Sequence, residues 1–249
     1  MDDSLALVLT GAIIAGFVQG LSGFAFGLTA MSFWAWAVAP QLAGPLVVVC
    51  SLAGQSLAIG PLRRGFDWRR VLPFVLGGAM GVPLGVGLLP LVDPVLFRVI
   101  LGTILVGYCS CMLAARLLPH LHHGGRLADG AIGMVGGVLG GLGGFTGTPV
   151  TLWYTLRGWD KDSGRAVLQT FNIAMHALTL TVYALNGLVT ADLGWLCLWA
   201  VPAMVVPALI GIRLYDRIDD AAFRRLILML LLVSGVVLLA TSLPRLLGL

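Results

Sequence analysis

The stretch GFVQGLSGFAFG, Gly16 to Gly27, decides how the whole chain is read. Apolar residues flank it on both sides, enough to build a bilayer-spanning helix, yet four glycines, a glutamine and a serine interrupt the run. Glycine permits the sharp reversal that a hairpin tip requires. Non-helical backbone at membrane depth survives only where protein or a water-filled cavity satisfies it. The competing reading is that glycines spaced by three or four residues merely let helices approach closely.

The rest of the sequence favours a membrane setting. Of 249 residues, 59% are hydrophobic and 10% charged, and apolar runs recur along the whole length. This pattern marks an all-α polytopic membrane protein and lacks the strand alternation of an outer-membrane barrel. The opening MDDSLALVLT has aspartates where a signal peptide carries basic residues, so the first apolar segment is expected to remain. The formal charge of +4 reports orientation rather than nucleic-acid binding. Cys50, Cys109, Cys111 and Cys197 fall in apolar segments and read as small core residues. No motif for hydrolysis, phosphate binding or metal ligation stands out, so neither an enzyme nor a cofactor is expected. His120, His122 and His123 read as a solvated connector.

Charged breaks divide the chain into segments at about 5–39, 44–62, 71–92, 95–118, 129–157, 165–187, 193–213 and 221–243. The pattern occurs twice. Gly16, Gly20, Gly23 and Gly27 recur at Gly133, Gly137, Gly140 and Gly144, a spacing of 117 that also relates Gln55 to Asn172. A spacing of 126 relates Gly85, Asp93, Phe97 and Arg98 to Gly211, Asp219, Phe223 and Arg224. The expected organisation is a first membrane repeat over 1–118, a cytoplasmic connector over 119–128 and a second repeat over 129–249.

Charge decides how the repeats are related. If every segment crosses once, the fifteen Lys and Arg residues split seven to eight, against the positive-inside bias. If the first segment of each half turns back, thirteen share one face and only Arg98 and Arg245 lie opposite. Each half then makes an odd number of crossings, so the repeats are inverted, with both termini periplasmic. Each repeat begins with a broken or re-entrant Gly-rich helical hairpin, followed by three transmembrane helices. Parity does not separate a re-entrant hairpin from two short crossings. Inverted repeats with broken helices mark secondary transporters whose sites lie near the midplane.

Candidate binding residues gather at the tips. In FTGTPVTLW, Thr148 is the expected N-cap and Pro149 the first helical residue, giving a helix N-terminus that can bind an anion. Thr146, Gly147 and Thr148 supply donors there; Gln19, Ser22, Gly23 and Phe24 occupy the first tip. Gln169, Asn172, His176, Thr179 and Tyr183 share one helix face, with Gln55 as a candidate from the other half. His176 is the ionisable side chain deepest in an expected span, which favours a functional role over a structural hydrogen bond. Trp34, Trp36 and Trp153 read as interfacial anchors, with Trp153 also a candidate cavity wall.

With its paired tips GFVQGLSGFAFG and GGVLGGLGGFTGTP, and the polar helix GRAVLQTFNIAMHAL, the chain resembles the TauE/SafE family of sulfite and organosulfonate exporters. It departs from that family in Phe24 to Phe26, where a run of glycines is common. The resemblance implies export of small sulfur-containing anions, such as sulfite or sulfoacetate, across a bacterial inner membrane. The expected partners are therefore a small anion and the lipid bilayer. A channel or another anion, and a non-transporting structural protein, are the alternatives; homo-oligomerisation stays open.

Overall fold

The computed structural model describes residues 3–57, 67–115, 124–214 and 220–248. All regular elements among them are helical: α1 (Asp3–Ser22), α2 (Phe26–Ala37), α3 (Pro40–Leu57), α4 (Trp68–Leu88), α5 (Pro94–Ala114), α6 (Arg126–Gly143), α7 (Gly147–Leu156), α8 (Lys161–Leu185), α9 (Ala191–Leu214) and α10 (Asp220–Leu246). A 3-10 turn, Leu89–Leu91, follows α4. Among the described residues, five stretches are long and apolar enough to cross a membrane: Ser4–Ser22, Trp68–Leu91, Pro94–Ala114, Ala191–Leu214 and Arg225–Leu246. Their outer faces expose large apolar residues such as Leu76, Met80, Val206 and Val233, as contact with lipid requires. The histidines of the connector lie outside the described residues.

The interrupted segment is a hairpin. Gly23, at φ +84°, ends α1, and α2 then runs back along it. Trp34, eleven residues beyond Gly23, donates from Nε1 to the carbonyl of Val8, fifteen residues before Gly23, at 3.0 Å. With 20 and 12 residues, the legs measure about 30 and 18 Å at 1.5 Å per residue, so only the first leg approaches spanning length. Helices α6 and α7 repeat the design around Gly144, at φ +77°. Their 18 and 10 residues give legs of about 27 and 15 Å.

This second hairpin is closed by Asp129. Its carboxylate accepts from Trp153 Nε1 at 2.8 Å and pairs with Arg157 at 3.1 Å, joining the start of α6 to the end of α7. Trp34, fully buried, thus holds its hairpin legs together instead of acting as an interfacial anchor, while Trp153 joins the legs of the second hairpin. Trp36 is different: it is 40% exposed and lies under the Arg98 guanidinium. Because Asp129 is buried and doubly bonded, Asp129→Ala should cost about 1–3 kcal/mol, allowing for the partial exposure of Arg157. Thermal unfolding in detergent would register the loss; an unchanged midpoint would show that the clasp contributes nothing.

The hairpins pack through their long legs on the other half of the chain. Gly20 of α1 meets Ala208 and Gly211 of α9, while Gly141 of α6 meets Val82, Val86 and Gly85 of α4. In both pairs the contacts advance in the same direction along the two helices: Gly16 meets Met204 before Gly20 meets Ala208, and Gly137 meets Gly78 before Gly141 meets Val82. The principal pairs between the halves are α4 with α6, α1 with α9, α5 with α10, α4 with α8, α3 with α9 and α3 with α8; exchanging α1–α5 for α6–α10 maps this set onto itself.

The structural register differs from the one read off the sequence. The positive-φ glycines at the two hairpin tips, Gly23 and Gly144, are 121 residues apart, not 117. The same 121 relates Gly20 to Gly141, whose partners Gly211 and Gly85 keep the spacing of 126. A slip of four residues is about one helical turn and leaves the buried face unchanged. Glycines repeating every three or four residues therefore match almost as well one turn out of place. On the corrected register Gln55 corresponds to His176, and Ser51 to Asn172.

Two clusters of polar residues mark opposite ends of the helices. At one end the Arg157 guanidinium lies over Trp153 and Trp159, and Arg70 lies over the same Trp159. Asp160 caps α8 there by accepting from Ser163 N at 2.9 Å, a bond that holds its carboxyl below the usual range. At the other end Arg98 donates to Ala35 O at 2.8 Å, and Gln41 donates to Val92 O at 3.3 Å.

Candidate functional site

Each tip begins with a glycine in the left-handed region, where a side chain would be strained. At the first, Gly23 N donates to Gln19 O at 2.7 Å. Ser22 Oγ then accepts from Phe24 N at 3.4 Å and Ala25 N at 3.2 Å, so this hydroxyl builds the turn. Phe24 is half-buried and packs between the two halves of the core. The Arg165 guanidinium comes to the open side of Gly23, 3.6 Å from where a Cβ would stand. Sequence reading missed Arg165, which sits near the start of α8, far along the chain from the tip it meets.

At the second tip, Gly144 N donates to Gly140 O at 2.8 Å and Phe145 N to Leu139 O at 3.2 Å. Helix α7 then starts at Gly147, with Thr146 at the N-cap position but making no capping bond. This corrects the expectation that Thr148 caps the helix: Thr148 already lies inside it, and Pro149 is its third residue rather than its first. The Thr146 hydroxyl is free to turn sideways, and it donates to Asn172 Oδ1 at 2.8 Å. His176 Nε2 lies 3.5 Å from that hydroxyl and 3.4 Å from Gly144 O. Gly147 is packed so closely that a Cβ would come within 2.8 Å of Asn172 Nδ2.

The two tips meet. A Cβ on Gly27, one turn beyond the first tip, would stand 2.9 Å from Gly144 O and 3.2 Å from Val47 of α3. Val47, Ser51 and Gln55 recur every four residues and share a face of α3. Gln19 Nε2 reaches this helix and donates to Ser51 O at 3.0 Å. The structure thus joins Thr146, Gly147, Asn172 and His176 directly. It ties Gln19 to α3, and it connects the two groups through Gly27, Gly144 and Val47. Gln55 makes no hydrogen bond with either group.

Burial makes this arrangement costly as a mere structural feature. Gln19, Gln55, Thr146, Thr148, Asn172 and His176 are all buried, at 6% exposure or less. Gln19 Oε1, both amide atoms of Gln55, Asn172 Nδ2 and His176 Nδ1 have no hydrogen-bond partner among the described residues. Thr29 on α2 and Thr151 on α7 add two buried hydroxyls without a partner that sequence reading did not single out. An unpaired buried donor or acceptor costs about 1–3 kcal/mol, so those beside the two touching tips, on Gln19, Asn172 and His176, point to a ligand. The α8 face fits this picture: Gln169, Thr179 and Tyr183 are also buried, and Tyr183 donates to Gly141 O at 2.7 Å.

Comparison with known proteins adds one finding: the family model described as Sulfite exporter TauE/SafE matches residues 8–238. No curated protein and no solved structure matches the chain.

Proposed function

Because the chain belongs to the TauE/SafE sulfite exporter family, a family of membrane transporters for sulfur anions, we propose that it exports a small sulfur-containing anion, sulfite or an organosulfonate such as sulfoacetate, across a bacterial inner membrane. The observation that carries this reading is the set of buried, unpartnered polar groups at two touching helix tips. Helix N-termini offer oriented N–H groups and partial positive charge to an anion. Asn172, Thr146 and His176 would line the second tip. Gln19, Ser22, Gly23, Phe24 and Gln55 would contribute from the first half, with Gly147 and Thr148 at the start of α7.

The two halves, 1–118 and 129–249, act as inverted repeats around this site. Two features support the inversion: α1 runs alongside α9 and α6 alongside α4 in the same sense, and the hairpin form of each first segment gives the thirteen-to-two charge split. The basic face is cytoplasmic and both termini are periplasmic. Rocking of one half against the other would expose the site alternately, with the inside-negative potential driving anion efflux.

Reconstituted protein should release sulfite from preloaded vesicles with saturable kinetics. Efflux no faster than from protein-free vesicles would overturn the proposal. Efflux proportional to concentration without saturation would replace the transporter with a channel.

A further inference from the structure

We infer that the site takes up one proton together with its anion, on Nδ1 of His176. This inference rests on the transport reading above and adds a proton to what that same site binds.

The hydrogen bonds at the second tip fix the tautomer of the ring. Gly144 O, 3.4 Å from His176 Nε2, can only accept. The Thr146 hydroxyl, 3.5 Å from the same nitrogen, already gives its proton to Asn172 Oδ1 at 2.8 Å. Neither neighbour can donate to Nε2, so Nε2 carries the hydrogen of the neutral imidazole. Nδ1 is then a bare lone pair. It has no hydrogen-bond partner among the described residues, on a side chain that is 2% exposed.

A lone pair is the wrong group to meet an anion. Asn172 Nδ2, unpartnered beside the same tip, is a donor and suits one; Nδ1 is an acceptor and opposes it. A proton on Nδ1 makes both atoms donors and charges the ring. An anion in a site shielded from water favours that charged form. The attraction between the two charges in turn offsets part of the cost of taking the anion out of water.

No carboxylate among the described residues stands level with the ring to hold this proton when the anion is absent. Helices α3, α4, α6 and α7 pack against α8. Helix α3 has no ionised side chain, and its thiol, Cys50, is buried among apolar residues. In α4 and α6 the charges are confined to the first turns, at Arg69, Arg70, Arg126 and Asp129. Helix α7 carries Tyr154 near its far end. On α8 itself the charged residues precede Ala166, and Tyr183 gives its proton to Gly141 O. The last of those charges, Arg165, lies eleven residues before His176, about 16 Å along the axis. Arg165 supplies a fixed positive charge beside Gly23 at the first tip. The proton on His176 supplies one at the second tip while the anion is bound. A proton therefore leaves with each anion, and for fully ionised sulfite or sulfoacetate one negative charge remains for the inside-negative potential to act on.

The test is sulfite binding, read by thermal unfolding from about pH 8 to 10, where free imidazole and free sulfite are both unprotonated. For wild type the apparent dissociation constant should rise about tenfold per pH unit, as linkage to one bound proton requires. A constant independent of pH would overturn the inference. His176→Gln keeps a donor for Gly144 O but has no titratable nitrogen, so its constant should stay flat over this range. The wild-type slope in the folded variant would place the proton elsewhere and also overturn the inference. Wild type gives a second reading that needs no variant. In protein carrying 15N-labelled histidine at about pH 8, one of the four imidazoles should pass from one protonated nitrogen to two on saturation with sulfite. Unchanged imidazole signals would overturn the inference, and none of these failures touches the transport reading while sulfite still moves. Absence of both sulfite binding and sulfite efflux in wild type would overturn the transport reading, and this inference with it.

Discussion

Gly141→Leu should prevent assembly of the folded protein. A Cβ at this position would lie 2.6 Å from Val86 N, 2.7 Å from Val82 O and 2.8 Å from Gly85 C, all of them backbone atoms of α4. Side chains can rotate away from a clash, but a helix backbone can only be displaced. Overpacking costs about 1–3 kcal/mol even where side chains can adjust, and more where they cannot. Each long hairpin leg is held to the opposite half by such close approaches, which in a membrane replace the hydrophobic effect as the source of cohesion. Separating α6 from α4 would also pull Gly144 and Thr146 out of line. The expected result is loss of monodisperse protein in detergent, or a thermal midpoint depressed far below wild type. Gly107→Leu is the matched control, because nothing lies within 4 Å of a Cβ there. It should be neutral within about 0.5 kcal/mol, as surface changes usually are. Equal behaviour of the two variants would refute the packing argument.

Asn172→Leu should leave the fold in place and remove most of the transport. Leucine has the same number of side-chain heavy atoms, branched at the same Cγ, and favours the helix, so α8 should stay folded. The substitution removes the acceptor of the Thr146 hydroxyl and the unpartnered Nδ2 donor at one stroke. A hydrogen bond to a charged group contributes about 1.5–3 kcal/mol, which corresponds to a loss of about 10- to 100-fold. The measurement is the initial rate of sulfite efflux, paired with a melting curve to show that the protein is folded. Wild-type flux from a folded variant would remove Asn172 from the site.

Much of the architecture was legible in the sequence because membrane insertion constrains composition so strongly. The glycines, the charge parity and the polar face of α8 led to two hairpins and to a polar cluster holding Asn172 and His176. The register was not legible, because glycines at helical spacing align equally well one turn away; only the backbone reversals at Gly23 and Gly144 fix it. The N-cap was misplaced because the sequence TGTP offers two threonines, and the choice depends on where Thr146 finds a partner outside its own helix. Asp129 and Arg165 escaped notice for a related reason. Each looks like one more charge at a helix start until the fold brings Trp153 to one and Gly23 to the other.

The central claim is that the unpartnered polar groups at the two tips bind the anion, and binding can be read without transport. Thermal unfolding of the purified protein should shift upward with added sulfite, by about 2.7 kcal/mol of stabilisation at a hundred times the dissociation constant. Folded Asn172→Leu should show little or no shift at the same concentrations. Equal stabilisation of the two proteins would place the anion elsewhere and contradict the claim.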